Sequence, residues 1–147
     1  MAYLLDTNHC IYLINSTSKL PYKRTTEEEN TLKAVQVLTE PFRISQITVA
    51  ELYYGAYKSQ RVRQNLEALE ELKQTVQILP ITEDLLRLFG ELKADVKKRG
   101  KSIENFDLMI GVNAILHGLT LVSNDHVFDL LAPQLKTENW STAISKP

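Results

Sequence analysis

The sequence predicts an α/β protein: a three-layer α/β/α sandwich around a mostly parallel sheet of four or five strands. Two patterns point there. Short strand-like runs recur at residues 2–5, 42–45, 76–79 and 119–122, too brief to be helices. Between them lie longer stretches whose apolar residues return every three or four positions, as one buried helix face requires. A third observation bears on function. Asp6, Glu51, Asp107 and Asp125 each fall where a strand-like run hands over to a helical pattern. In open parallel sheets such handovers gather beyond the carboxyl ends of the strands, where ligands bind.

Taken in order, Ala2-Tyr3-Leu4-Leu5 reads as a buried strand, followed by Asp6-Thr7-Asn8, which are helix-capping residue types. Ile11, Leu13 and Ile14 continue as a brief helix, and residues 15–25 read as a polar loop. Thr26 opens the next helix with Glu29 as its capping-box partner, and Pro41 closes it. Residues 42–45 form the second strand. Thr48-x-x-Glu51 then reads as a second capping box opening a helix that reaches about Tyr57. Val62, Leu66, Leu69, Leu72 and Val76 mark another helix, and Val76 to Leu79 the third strand, stopped by Pro80.

Thr82 caps a helix carrying Leu85, Leu88, Phe89, Leu92 and Val96, and the basic residues 97–102 form a turn. From Glu104 a strongly apolar helix runs to His117, with Gly118 as its stop. Leu119 to Val122 is the fourth strand, a short helix spans about Val127 to Leu131, and Leu135 to Trp140 supplies an edge strand.

At 147 residues, one domain covering 1–147 is expected, large enough to bury roughly 70% of its unfolded surface. The net charge of −1 gives no global basic signature, although an acidic site can mask a local basic surface. The single Cys10 rules out an internal disulfide and fits a reducing compartment. The N-terminal apolar run is too short for a signal peptide, and no window approaches the ~20 apolar residues of a membrane span. A cytoplasmic protein without membrane contact is expected.

Carboxylates brought together unshielded repel by roughly 4 kcal/mol per pair at contact distance. A converging cluster therefore suits a divalent cation, and a cation beside helix N-termini suits phosphate chemistry. The motifs themselves are specific: LLDTN at 4–8, ITVAEL at 47–52, FDLMIGVNA at 106–114 and LVSNDHVF at 121–128. Together, in this order and across nearly the whole chain, they resemble the four acidic motifs of PIN-domain ribonucleases, and most closely the VapC-type toxins of bacterial type II toxin–antitoxin pairs.

The resemblance implies a compact PIN-like α/β/α fold and Mg²⁺- or Mn²⁺-dependent endonuclease action on RNA. It also implies homodimerisation and neutralisation by a small VapB-like antitoxin. By position it makes Asp6, Glu51, Asp107 and Asp125 the catalytic acids, with Asn8 and Ser123 holding carboxylates or the scissile phosphate. Asp6, Asp107 and Asp125 are the expected metal ligands, direct or through water, and Glu51 ligates a second metal or orients the attacking water. One position departs from the pattern: Phe106 precedes the third acid where many relatives carry Asn, and Asn105 stands one step back. The 15–25 segment is also longer than in compact relatives.

Several residues have plainer readings. Asp84 stabilises a helix dipole, His9 and His126 are exposed or packing residues, and Lys97, Lys98, Arg99 and Lys101 form a solvated turn or a strip that steers RNA. Tyr12, Tyr53, Tyr54 and Tyr57 divide between core and interface. Two other functions compete. A phosphohydrolase with Asp6 as nucleophile wants a second acid two residues on, where Asn8 has no titratable proton. A catalytically weak scaffold that binds RNA or protein sits badly with a full set of acids.

Overall fold

The computed structural model describes residues 2–142. Five strands form one all-parallel sheet: β1 (Tyr3–Leu5), β2 (Arg43–Ser45), β3 (Gln77–Leu79), β4 (Thr120–Val122) and β5 (Thr137–Glu138). Their order across the sheet is β3-β2-β1-β4-β5, so the first strand lies in the middle. Leu4 pairs with Leu121, and Ile44 with Ile78. Helices cover both faces: α1 (Thr7–Ser18), α2 (Thr26–Gln36), α3 (Gln46–Lys58), α4 (Val62–Thr75), α5 (Glu83–Lys98) and α6 (Asn105–Leu116).

Side-chain alternation along three-residue strands creates the layers. Leu4, Leu79 and Leu121 point into one core with Leu85, Leu92, Leu108 and Phe128, from α5, α6 and the 3₁₀ segment His126–Leu131. Leu5, Ile44 and Val122 point the other way, against Cys10, Leu13, Leu52, Leu69 and Trp140. Leu4, Leu5, Ile44 and Leu121 are wholly buried, each contributing about 1.5–3 kcal/mol by leaving water. That burial on both faces makes short strands sufficient.

The boundaries differ from the sequence reading in instructive places. Residues 15–25 are no loop: α1 continues to Ser18, and a 3₁₀ turn follows at Pro21–Lys23. The Ser16, Thr17 and Ser18 hydroxyls each donate to the carbonyl three residues back, at 2.7, 2.9 and 3.1 Å, so their polar groups are satisfied inside the helix. The α2 capping box uses Thr25 and Glu28 rather than Thr26 and Glu29. Glu28 is buried and receives Lys19 Nζ on both oxygens, at 2.8 and 2.9 Å, which ties α2 to the end of α1. Burial pushes the Glu28 carboxyl up, but Lys19 and Thr25 outweigh it and hold the group below its ordinary range. The helix ends at Gln36, well before Pro41.

The second expected capping box is also displaced. Ser45, the last residue of β2, caps α3 by accepting the Ile47 N–H at 3.1 Å, so Thr48 is a buried interior residue. Glu51 consequently sits in the second turn of α3, not the first, and is free of capping duty. The stop after α6 is as expected: Gly118 takes φ +63°, a left-handed conformation open to glycine without strain.

Candidate active site

The acidic cleft forms at the carboxyl edge of the central strands. Asp6 follows β1 directly and is held to β4 by its own N–H, which donates to the Val122 carbonyl at 3.0 Å. Asp125 follows β4 after a turn and accepts the Val127 N–H at 2.9 Å, opening the 3₁₀ segment. Asp107 lies in the first turn of α6, and Glu51 reaches in from α3. These four acids, with Thr7 and Asn8, line a cleft of about 110 Å³ over Ile110 and Phe128. A larger groove of about 620 Å³ lies between α1, α2 and α4, but its lining is mostly apolar, including Leu13, Leu32 and Leu72. The chemistry belongs to the smaller cleft.

Electrostatics mark Asp107. Burial, then the charges of Asp125, Glu51, Glu104 and Asp6, push its carboxyl up to about 6. A carboxyl crowded by like charge is one that a cation would relieve. No group of three acid, histidine or cysteine side chains among the described residues is arranged to hold an ion by itself. The donor set instead fits a hard cation such as Mg²⁺, which takes one or two carboxylates and keeps several waters.

The supporting contacts differ at each acid. The Thr7 hydroxyl donates to Glu51 Oε1 at 2.6 Å and lies 3.3 Å from the Thr48 hydroxyl, so α1 aims an acid carried by α3. Ser123 is buried, and its Oγ accepts the Asp125 N–H at 3.1 Å, fixing the turn that presents Asp125. Buried Asn113, two turns beyond Asp107, lies 3.4 Å from Ser45 Oγ and links α6 to the start of α3. Asn8 is exposed at the cleft.

Comparison with known proteins places this arrangement. The PIN domain family matches residues 3–132. The chain is 34% identical to Ribonuclease VapC2 of Rickettsia felis over 140 residues, covering 95% of this chain and 98% of that protein. It is 35% identical to Ribonuclease VapC2 of Haemophilus influenzae over 141 residues, with the same coverage. This chain belongs to the PIN domain family, among the VapC ribonucleases. Its fold matches the crystal structure of VapBC2 from Rickettsia felis bound to a DNA fragment from their promoter, with a TM-score of 0.77, 34% identity and coverage of 95% and 99%.

As a PIN domain, the chain shows which sequence-level expectations meet in space. Asp6, Glu51, Asp107, Asp125 and Asn8 share the cleft, and Ser123 lies behind Asp125. Asn105 does not line the cleft: its side-chain oxygen accepts Lys93 Nζ at 2.9 Å. Asp84 is exposed and outside it. The sequence reading gave no place in the site to Thr7, which lines the cleft, nor to Glu104 and His9, which act on it from outside. Glu104 does so by its charge on Asp107 and His9 by contact with Asp6. His9 is wholly buried, with Nδ1 2.9 Å from Asp6 Oδ1. Its signal was present in the sequence: a residue three positions after a capping Asp is folded back over it. PIN-domain ribonucleases are generally dependent on divalent metal. No helix among the described residues is long and apolar enough to cross a membrane.

Proposed function

We propose that this chain is a metal-dependent endoribonuclease and the toxin of a VapBC-like toxin–antitoxin pair, acting in the cytoplasm as a single PIN domain over residues 1–147. The meeting of Asp6, Glu51, Asp107 and Asp125 in one cleft, from four separate parts of the chain, carries this reading. Asp6, Asp107 and Asp125 would hold Mg²⁺ or Mn²⁺, directly or through water. A divalent cation bound there lowers the pKa of a coordinated water and offsets charge on the leaving oxygen.

The chain's own groups supply the rest. Glu51, its Oε1 held by Thr7, orients the attacking water and takes its proton. Asn8, exposed at the mouth, contacts the scissile phosphate. The first turn of α6 has no side-chain cap, so its N–H groups remain available to phosphate oxygens. Lys97, Lys98, Arg99 and Lys101 form the end of α5 and the turn towards α6, and Arg99 Nη2 donates to the Leu130 carbonyl in the 3₁₀ segment that Asp125 opens. That hydrogen bond supports a basic strip guiding the RNA backbone towards the acids.

The relatives named Ribonuclease VapC2 and the VapBC2 complex from Rickettsia felis support RNA as substrate and a VapB-like antitoxin as partner. We propose a homodimer that binds antitoxin as a heteromeric complex, to be checked by light scattering with and without the product of the adjacent reading frame. The deciding experiment is cleavage of single-stranded RNA and tRNA in Mg²⁺, Mn²⁺ or EDTA. Metal-dependent cleavage lost in Asp6→Asn is the expected result. RNA binding without metal-dependent cleavage would replace the nuclease by a scaffold.

A further inference from the structure

His9 is fully buried, and both of its ring nitrogens are engaged, by residues from opposite ends of the chain. Nε2 accepts the Trp140 backbone N–H at 3.3 Å. A backbone N–H can only donate, so the Nε2 lone pair faces Trp140 and the neutral ring carries its proton on Nδ1. Nδ1–H therefore donates to Asp6 Oδ1 at 2.9 Å. The same oxygen also takes the His9 backbone N–H at 2.9 Å. One residue thus supplies two donors to Oδ1, while Oδ2 has no hydrogen-bond partner among the described residues. The ring is further braced by an edge contact with Tyr12, centroids 5.5 Å apart, and the Tyr12 hydroxyl accepts the Asn124 amide at 3.1 Å.

We propose that His9 is a positioning residue: its Nδ1–H, set in that tautomer by the Trp140 backbone, fixes the Asp6 carboxylate so that Oδ2 alone is presented to the cation. The inference rests on Asp6 being a cation ligand. A ligating carboxylate free to swing must be ordered on binding, and an outer hydrogen bond does that ordering in advance; loss of such a partner weakens metal binding about 10–100-fold. Burial by itself explains none of the pairing, because an aliphatic side chain fills the same space without two polar atoms to satisfy.

Two substitutions separate the roles of the two nitrogens. His9→Asn keeps an amide N–H near the position of Nδ1 and gives up the hydrogen bond to Trp140. His9→Gln keeps an acceptor towards Trp140 and gives up the donor to Asp6. Mn²⁺ binding is measured on the full chain without RNA, by calorimetry and by electron paramagnetic resonance of free Mn²⁺, beside thermal midpoints of the metal-free proteins and a Mn²⁺ titration of Asp6→Asn. His9→Gln is expected to bind Mn²⁺ about 10–100-fold more weakly and His9→Asn close to the parent, whichever has the lower midpoint. Affinities that simply follow the midpoints, or a His9→Gln affinity equal to the parent, would overturn the positioning role. Undiminished binding in Asp6→Asn would instead remove Asp6 as a ligand, a separate failure.

Discussion

Asp6 and Asp107 are both acids of the cleft, and different neighbours hold them. Asp107, pushed from an ordinary 3.8 up to about 6, favours its protonated form in the fold. The stability this confers is full below the ordinary value and is lost as pH rises through about 6. The thermal midpoint of the metal-free protein should therefore fall over that window, and Asp107→Asn should flatten the fall. Mn²⁺ affinity should run the other way, rising with pH until Asp107 is ionised. Asp6 also caps α1 through the His9 N–H, so Asp6→Ala should lower stability by about 1 kcal/mol for the missing cap. Asp6→Asn keeps an acceptor there and should lose cleavage with a smaller change in midpoint. The acids could be found in the sequence because chemistry restricts their residue type. Thr7 and His9 are legible only through helix geometry, because the first turn folds back on its cap although neighbours in sequence usually point apart.

At the level of elements, α6 and the 3₁₀ segment beside it fix the spacing between Asp107 and Asp125. Gly111 is where they touch: a Cβ there would lie 2.6 Å from Leu131 Cδ1. Gly111→Ala should destabilise by about 1–3 kcal/mol through overpacking and reduce cleavage as the two acids shift, checked by denaturant unfolding and RNA cleavage. Gly55 in α3 has nothing within 4 Å of such a Cβ, so Gly55→Ala should stabilise by up to about 1 kcal/mol through helix propensity. Helical stripes such as Leu85, Leu88 and Leu92 were readable because burial imposes their period. The caps were not, for a local reason. Thr25-Thr26 before Glu27-Glu28-Glu29 offers more than one register for a capping box, and Ser45 serves β2 and the α3 cap at once, leaving no loop to announce the boundary.

For the molecule as a whole, the parallel α/β architecture was readable from alternation of strand and helix, and the acid cluster from its place at strand ends. The edge strand expected within Leu135 to Trp140 is present as the two-residue β5, but the strand order was not readable, because neighbours in a parallel sheet are chosen by packing rather than by any short-range signal. Two bulk measurements follow from the assembled shape. Mn²⁺ at 100 times its Kd should raise stability by about 2.7 kcal/mol, an increment absent from Asp6→Asn. Exchanging Lys97, Lys98 and Lys101 for glutamine should shallow the logarithmic salt slope of RNA binding by about 0.7 for each phosphate left without its cation.

The central position of β1 has one more consequence. Leu4 finds its partner Leu121 only after all the residues between them have been made, and Asp125 follows a few residues later. Until then the ribosome holds a chain in which β1 has no β4 beside it and Asp6 lacks Asp125. Such a nascent chain has no complete cutting site beside the RNAs that are making it.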